Sequence, residues 1–303
     1  MAAAEHAFRR AAEELGLPVL GTELLENVYL PTTRWLVKQC RIAKRPLLVG
    51  VNGAQGSGKS TFCYFLSRIL ADTANLSVVT LSIDDVYLTR SERDSLGDSI
   101  HTLCRIRGVP GTHDLELTNR TFDQLLSAQA GDTVPIPRFD KACDDRCPES
   151  SWDTADGPVD LVLFEGWCVG CPDLPAWAGP YNAREAREDP EGVWARWSDM
   201  HLVSGYRALF ERLDYQIMIQ VPSMDTVREG RWLQECKLRK KHMDAGADLT
   251  TLRGLMSHSE VLDYVALFER HTEHMLDVLP SLSDVLIRRN DALEFSLVRV
   301  PGY

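Results

Sequence analysis

A glycine-rich stretch, "GVNGAQGSGKST" at residues 50 to 61, contains the side chains whose types and spacing most clearly indicate chemistry. Four residues separate Gly53 from Gly58, and Lys59 and Ser60 follow directly. This is the spacing of a phosphate-binding loop, in which backbone N–H groups turn inward around phosphate oxygens. Lysine at this position reaches the β- and γ-phosphates, and the serine hydroxyl is a ligand for Mg²⁺. The stretch therefore predicts a site for a nucleoside triphosphate.

The residues around this stretch have the strand, loop and helix order that such a motif requires. The run "PLLVGV" at 46 to 51 is apolar, and an amphipathic helical pattern follows at 59 to 71. The N-terminus of a helix adds partial positive charge beside bound phosphate. This context makes a chance glycine-rich turn the weaker interpretation.

Two further strand-like runs end in carboxylates. "LSVVTLSI" at 76 to 83 is followed by Asp84 and Asp85, and "VDLVLFEG" at 159 to 166 contains Glu165. The carboxyl ends of parallel strands border the ligand crevice in an open α/β sheet. A carboxylate of this aspartate pair can accept the proton of an acceptor hydroxyl or hold Mg²⁺ through water, and Glu165 stands where phosphate-loop enzymes have a second Mg²⁺-directed carboxylate. A helix cap or a solvated turn is the alternative for the aspartate pair.

Cations cluster in two polar segments and in one late helical stretch. The chain has a formal net charge of -11 and a pI near 5.2, so cations placed on loops indicate an anionic substrate. Arg231, within "REGRWLQECKLRKKH" at 228 to 242, is predicted to reach over the transferring phosphoryl group. Ordinary surface charge and a solvated basic helix face are the alternatives. The loop cations are Arg105, Arg107, His113, Arg138 and Lys141.

Near-continuous apolar runs alternate with helical patterns along the chain. Strand-like runs occur at 46 to 51, 76 to 83, 159 to 166, 215 to 221 and 283 to 289, and helical patterns at 59 to 71, 115 to 128, 198 to 212, 223 to 242 and 258 to 278. Such alternation indicates a mainly parallel sheet covered by helices on both faces. With the phosphate-binding loop, it predicts an α/β fold of the P-loop NTPase type.

The predicted organisation has an N-terminal helical extension at residues 1 to 45, interrupted near Pro31, and a P-loop domain at 46 to 303. Three polar or tryptophan-containing inserts interrupt the alternation, at about 86 to 114, 131 to 158 and 167 to 197. Inserts this long are usually functional or mobile, so lid and insert segments are expected around the site.

Composition excludes several classes of protein. The 303 residues are 44% hydrophobic and 25% charged, which is typical of a globular chain. The acidic balance argues against a nucleic-acid partner, because phosphate backbones require a basic face. No apolar stretch approaches the roughly 20 residues that span a bilayer, and glutamates at 5, 13 and 14 stand where a signal peptide would be apolar. We therefore expect a cytoplasmic protein with no membrane partner.

Two short-spaced cysteine pairs raise the question of a second metal site. Cys143 with Cys147, and Cys168 with Cys171, loosely imitate a four-thiolate zinc site. The first pair lies in a polar segment, and the second follows a strand that is predicted to be buried. Two loop cysteines and two packed ones are the favoured interpretation.

Taken together, the motifs resemble those of the D-glycerate 3-kinase family, phosphate-loop kinases related to uridine kinase, phosphoribulokinase and bacterial pantothenate kinase. The resemblance covers about residues 20 to 290 in the family's order. Departures are Val86 in place of an aromatic residue, a shortened "DKACDDR" loop, and Gly230 in place of a tryptophan, with Trp232 two positions later. The motifs that carry the resemblance are "GAQGSGKST", "SIDDVYLT", "RGVPGTHD", "PRFDK", "FEGWCVG" and "RWLQE".

The resemblance implies an ATP-dependent kinase that transfers the γ-phosphoryl group to the primary 3-hydroxyl of D-glycerate, a small anionic substrate. By similarity, Asp84 is the general base, Lys59 and Arg231 act on the phosphoryl group, and Ser60 and Glu165 hold Mg²⁺. The implied ATP contacts are Gly53, Gln55, Gly56, Ser57, Gly58, Lys59, Ser60 and Thr61, and the implied acceptor contacts are Asp85, His113, Asp114, Arg138 and Lys141.

Three alternatives remain open from the sequence. The first keeps the kinase chemistry and changes the acceptor to a nucleoside or a pantothenate-like metabolite. The second is a nucleotide-dependent switch, which is expected to have a guanine-reading Asn/Thr-Lys-x-Asp element that the sequence lacks. The third is an inactive binding protein, which the joint presence of Lys59, Ser60, Asp84 and Glu165 disfavours.

Overall fold

Buried apolar strands form the centre of the fold, which we describe from a computed structural model covering residues 1–18, 20–244, 255–292 and 294–302. The strands, in chain order, are β1 (Leu47–Gly53), β2 (Val78–Ser82), β3 (Thr133–Ile136), β4 (Phe139–Asp140), β5 (Asp145–Arg146), β6 (Asp153–Asp156), β7 (Leu161–Gly166), β8 (Tyr215–Gln220), β9 (Val285–Arg289) and β10 (Phe295–Arg299). The helices are α1 (Ala2–Glu14), α2 (Thr22–Leu24), α3 (Leu30–Ala43), α4 (Lys59–Ala74), α5 (Arg90–Ser99), α6 (Leu115–Ser127), α7 (Ala183–Glu188), α8 (Val193–His201), α9 (Arg207–Phe210), α10 (Met224–Asp244), α11 (His258–Ala266) and α12 (Glu269–Leu282).

The main sheet has the order β10-β9-β8-β1-β7-β2. Neighbouring strands pair in parallel along β9, β8, β1, β7 and β2. These five strands correspond to the five strand-like runs of the sequence. Only β10 is antiparallel, pairing with β9 at the edge. The predicted α/β fold with a mainly parallel sheet is thereby confirmed, while β10 was not predicted.

Helices cover both faces of this sheet, as its apolar strands require. Leu47, Val49 and Leu163 point to one face, where they pack with α1, α3 and α4. Leu48 and Phe164 point to the other, where they pack with α6, α8 and α12. Burial on both faces explains why the strands are apolar almost throughout rather than alternating.

The N-terminal helices pack against α4, the helix that follows the phosphate-binding loop. The ring of Phe8 lies 4.9 Å from that of Phe65 and 5.5 Å from that of Tyr29. The interruption expected near Pro31 is a π-helical turn at Leu25–Tyr29. Pro31 itself stands in the first turn of α3, which continues from this π-helical turn without a break. Apolar residues of α1, of the π-helical turn and of α3 thus share one cluster with the sheet.

The inserts contain more regular structure than the sequence indicates. Helix α5 lies in the first, and two small antiparallel pairs, β3 with β6 and β4 with β5, lie in the second. The helical pattern at 258 to 278 is two helices, because α11 ends at Ala266 and α12 begins at Glu269. In the basic stretch at 228 to 242, the side chains at 241 and 242 lie outside the described part. Each helix within the described ranges is too short or too polar to cross a bilayer.

The buried ring of Phe8 makes the N-terminal helices testable as part of the folding unit. We expect Phe8→Ala to reduce the free energy of unfolding by about 3 to 5 kcal/mol, because the ring is 2% exposed and its removal leaves a cavity. Leu15→Ala, at a residue that is 40% exposed, is the control and should change it by less than about 1 kcal/mol. Urea unfolding followed by circular dichroism measures both. An unchanged midpoint for Phe8→Ala would show that α1 does not contribute to the core.

Candidate active site

Three parallel strands end level with one another and define the edge at which the site lies. Glu165 of β7 is in register with Val51 of β1 on one side and with Ser82 of β2 on the other. The phosphate-binding loop follows β1, and Asp84 follows β2 by two residues. The chain therefore brings the loop and both carboxylates to the carboxyl edge of the sheet, where α/β proteins bind their ligands.

The phosphate-binding loop has the backbone conformation that its glycines allow. Gly56 and Gly58 have φ of 75° and 88°, in the left-handed region, and α4 begins directly at Lys59. The Ser57 N–H donates to the carbonyl of Ala54 at 3.0 Å, which closes the turn. A loop of this form presents N–H groups and a helix N-terminus to phosphate.

Two later segments of the chain hold this loop from outside. A Cβ on Gly56 would lie 2.8 Å from the backbone carbonyl carbon of Gly230 in α10, so the two backbones approach closely. The tryptophan of the motif that this chain resembles is replaced by Gly230, and Trp232 packs its ring 5.0 Å from that of His258. Arg289, buried at the end of β9, donates a hydrogen bond to the Gly56 carbonyl.

Ser60 and Glu165 form a pair that fits a hydrated magnesium ion. The Ser60 hydroxyl donates to Oε1 of Glu165 at 2.7 Å. Glu165 is 4% exposed, and its Oε2 has no hydrogen-bond partner within the described ranges. A buried carboxylate oxygen without a partner is costly unless a cation or water satisfies it. Hydroxyl and carboxylate oxygens are ligands that Mg²⁺ prefers, so these residues suit the ion that the sequence implies.

Asp84 lies at the centre of the site and is held on both oxygens. The Lys141 ammonium donates to Oδ2 at 2.6 Å, and the Tyr87 hydroxyl donates to Oδ1 at 2.6 Å. Burial acts to raise the pKa of Asp84, but the charges of Lys141 and Lys59 and both hydrogen bonds outweigh it, so the pKa falls below its usual range. The carboxylate is therefore ionised in this arrangement.

A cavity of about 350 Å³ joins Asp84 to the phosphate-binding loop. Arg231 lines it from α10, where Glu235 holds its guanidinium at 3.1 Å and the Tyr264 ring lies 5.9 Å away. The cavity wall is formed by Gln55, Gly56, Lys59, Ser60, Ile83, Asp84, Tyr87, Arg107, Gly108, Lys141, Trp167, Arg231, Gln234, Leu238, Tyr264 and Phe268.

Of the predicted acceptor contacts, Lys141 lines this cavity, and the other four are not among its lining residues. Asp114 caps α6 by accepting the Leu117 N–H at 2.8 Å and pairs with Arg146 at 2.9 Å. Asp85 pairs with Arg138 at 3.1 Å. Burial raises the pKa of Asp85, and the nearby Arg138 offsets part of this effect. In this arrangement Asp85 and Arg138 pair with each other and Asp114 caps α6, and their contact with an acceptor stays a prediction.

His113, the fourth of these residues, supports Tyr87. The two rings stack with centroids 4.5 Å apart. Tyr206 accepts the Gly111 N–H at 3.0 Å, and its hydroxyl oxygen lies 2.6 Å from Nδ1 of His113. Burial lowers the pKa of His113 from 6.5 to about 3, so the ring is neutral. A neutral, fixed ring orients the Tyr87 hydroxyl toward Asp84.

Some residues of the cavity, and one that holds the phosphate-binding loop, were not singled out from the sequence. Tyr87 lies three positions after Asp84 inside "SIDDVYLT", and its hydroxyl was the available signal. Arg107 was noted only as a loop cation, yet it lines the cavity beside Lys141. Tyr264 and Arg289 are distant in sequence from every motif, so no local pattern indicates them.

The two cysteine pairs differ in how deeply they are buried. Cys168 and Cys171 are buried, whereas Cys143 is exposed and Cys147 is half-buried. Among the described residues, no group of three or more His, Cys, Asp or Glu side chains is placed to hold a metal.

Comparison with known proteins assigns the family. No protein-family model matches the sequence. The uncharacterized kinase mug58 of Schizosaccharomyces pombe is 31% identical over 251 residues, covering 80% of this chain and 85% of that kinase. The chloroplastic D-glycerate 3-kinase of Arabidopsis thaliana is 31% identical over 179 residues, covering 54% of this chain and 39% of that enzyme.

The chain belongs to the D-glycerate 3-kinase family. A solved structure of D-glycerate 3-kinase from Cryptococcus neoformans has the same fold, with a TM-score of 0.65 at 23% identity over 92% of this chain and 100% of that one. The predicted ATP-dependent kinase class is thereby confirmed. In a kinase of this family, the Ser60–Glu165 pair and the contacts of Asp84 are the parts of the site to test by mutation.

The unpartnered oxygen of Glu165 leads to a prediction about Mg²⁺. Glu165→Gln keeps an oxygen for the Ser60 hydroxyl but removes the negative charge, so we expect the Mg²⁺ concentration for half-maximal ADP release to rise about tenfold or more. A magnesium titration at fixed ATP measures it, with exposed Glu211→Gln as control. An unchanged titration would exclude Glu165 from the metal side.

The buried neutral His113 leads to a prediction about pH. The unfolded chain binds a proton on this ring below pH 6.5 whereas the folded chain does so only near 3, so stability is fully present above 6.5 and falls as the pH drops through that window. We expect His113→Gln to remove up to about 1.4 kcal/mol per pH unit of this slope. Urea unfolding between pH 7 and 5 measures it.

The control for this prediction is His6→Gln, at an exposed position of α1. It should keep the wild-type dependence of unfolding free energy on pH. If His113→Gln and His6→Gln gave the same slope as the wild type, the assignment of a buried neutral ring at position 113 would be wrong.

Proposed function

We propose that the protein transfers the γ-phosphoryl group of ATP to the 3-hydroxyl of D-glycerate, giving 3-phospho-D-glycerate and ADP. One observation carries the proposal: a single cavity holds the phosphate-binding loop, a carboxylate suited to act as base, and two cations at the acceptor end. Relatives with that printed activity in plant and fungus support the choice of acceptor.

The proposed reaction follows from the positions of these groups. The acceptor hydroxyl oxygen attacks the γ-phosphorus, the bond to the β-phosphate oxygen breaks, and the hydroxyl proton passes to Asp84. Lys59 and Arg231 offset the negative charge that develops on the transferring group. Ser60 and Glu165 would hold Mg²⁺, which would neutralise charge on the phosphates.

The acceptor end of the cavity favours a small anion. Lys141 and Arg107 both line it, and Tyr87 and Tyr264 add hydroxyl groups. A carboxylate beside these cations would place its neighbouring hydroxyl carbons toward Asp84. About 350 Å³ is at the small end for a ligand site and must accommodate phosphate groups as well as acceptor. This limited volume favours glycerate over a nucleoside or a pantothenate-like molecule.

An acceptor panel tests the proposal. ADP release is measured with MgATP and D-glycerate, L-glycerate, uridine, pantothenate or no acceptor. Stimulation by D-glycerate alone is expected. Stimulation by another compound would keep the kinase class and replace the acceptor, whereas nucleotide binding without any stimulated turnover would favour the switch. The cytoplasmic location stays a prediction, to be checked by fractionation of cells.

The role of Asp84 as base gives a specific prediction. Asp84→Asn keeps the size of the side chain but cannot accept a proton, so we expect turnover to fall by about 10² or more while affinity for MgATP changes by less than about threefold. Asp98→Asn, at a position whose side chain is 75% exposed, is the control. Steady-state kinetics and calorimetric ATP binding measure the two effects. Near-normal turnover would remove Asp84 as base.

A further inference from the structure

The ion pair between Lys141 and Asp84 presents a conflict for the proposed reaction. A general base must accept a proton, and its efficiency falls as its proton affinity falls. Yet the Lys141 ammonium lies 2.6 Å from the carboxylate that is to receive that proton, and the Tyr87 hydroxyl occupies the other oxygen. Both contacts favour the ionised form and lower the pKa of Asp84. In this arrangement the base is held in a weakly basic state.

The Lys141 side chain can change partners while its backbone stays in place. Its side chain is 57% exposed, against 31% for Asp84, so it reaches the carboxylate from the open side of the cavity. A lysine ammonium is a point charge on a flexible stem and needs no fixed geometry for a new partner.

The turn that carries Lys141 is anchored on both sides. It links β4 to β5, where the Ala142 N–H donates to Asp140 at 2.8 Å. Asp144 in the same turn pairs at 3.1 Å with Arg93, which is 1% exposed. Residue 141 therefore remains at the cavity edge even when its side chain leaves Asp84.

The neighbouring cation, Arg107, has a different partner. It pairs with Asp144 rather than with the base, so its charge is offset without involving Asp84. An anion that binds at the acceptor end would therefore disrupt the contact between Lys141 and the base, whereas Arg107 makes no such contact.

We propose that Lys141 couples the negative charge of the acceptor to the release of the base. This coupling rests on the proposed function and works as an exchange of ion pairs. Without an anionic acceptor, Lys141 holds Asp84. When the acceptor binds, its carboxylate pairs with the ammonium, and Asp84 is left to receive the hydroxyl proton. Water and uncharged alcohols bring no anion for Lys141. They therefore meet a base that is still paired, which limits ATP hydrolysis and phosphorylation of neutral alcohols.

The test compares Lys141→Met with the wild type in acceptor-free ATP hydrolysis and with D-glycerate and glycerol as acceptors. Methionine is similar in length and uncharged, so Oδ2 of Asp84 is permanently free of the ammonium. We expect the KM for D-glycerate to rise about tenfold or more, while ATP hydrolysis and turnover of glycerol both increase several-fold. Lys141→Arg should keep hydrolysis low and restore much of the affinity for D-glycerate.

Two further variants separate this coupling from a purely structural effect. Adding Asp84→Asn to Lys141→Met should abolish the gain in hydrolysis, because the gain requires a free carboxylate at position 84. Lys38→Met, at an exposed lysine of α3, is the matched control and should behave as the wild type. Thermal unfolding of every variant shows whether a change reflects loss of fold.

Hydrolysis and glycerol turnover that stay level or fall in Lys141→Met would overturn the coupling and reduce Lys141 to a binding cation. Because hydrolysis without acceptor does not depend on which acceptor is correct, this result is decisive even if the wild type does not phosphorylate D-glycerate. Failure of the wild type to phosphorylate D-glycerate would instead refute the proposed function. The two failures are therefore distinguishable in one set of assays.

Discussion

The parallel pairing of β1, β7 and β2 is the constraint on which the rest of the site depends. In this register Val51, Glu165 and Ser82 lie side by side, so the residues that follow each strand emerge at one edge. A shift of one residue in a strand would turn its side chains to the opposite face. The apolar contacts on both faces of the sheet fix the register, and thereby the distances between the phosphate-binding loop, Glu165 and Asp84.

Around this edge, the inserts and the C-terminal part of the chain contribute the charges that the sheet does not provide. The turn between β4 and β5 carries Lys141, α10 carries Arg231, and β9 carries Arg289. Each of these cations is held by a specific partner: Asp84, Glu235 and the Gly56 carbonyl, respectively. An acidic chain thus concentrates cations where phosphate and an anionic acceptor are expected, which strengthens binding of anions in a partly enclosed cavity.

How much of the site could be predicted from the sequence depended on how far apart in the chain the contacting residues lie. The phosphate-binding loop, Asp84 and Glu165 belong to short motifs at strand ends, so their common location follows from strand, loop and helix order. Arg138 and Asp114 have the residue types expected of substrate contacts, but the structure uses them as an ion-pair partner and a helix cap.

Tyr264 lines the cavity, and Arg289 contacts the phosphate-binding loop. Both are far along the chain from the motifs that they meet. No periodicity or spacing encodes such contacts. The fold class was accessible because apolar strands alternate with helices, whereas β10 is a half-exposed edge strand with a weak pattern. The measurement that most directly tests the central claim is phosphorus NMR of the wild-type reaction with MgATP and D-glycerate. The account predicts one phosphomonoester on the primary carbon for each ADP formed. Inorganic phosphate alone, or a phosphate on the 2-hydroxyl, would contradict it.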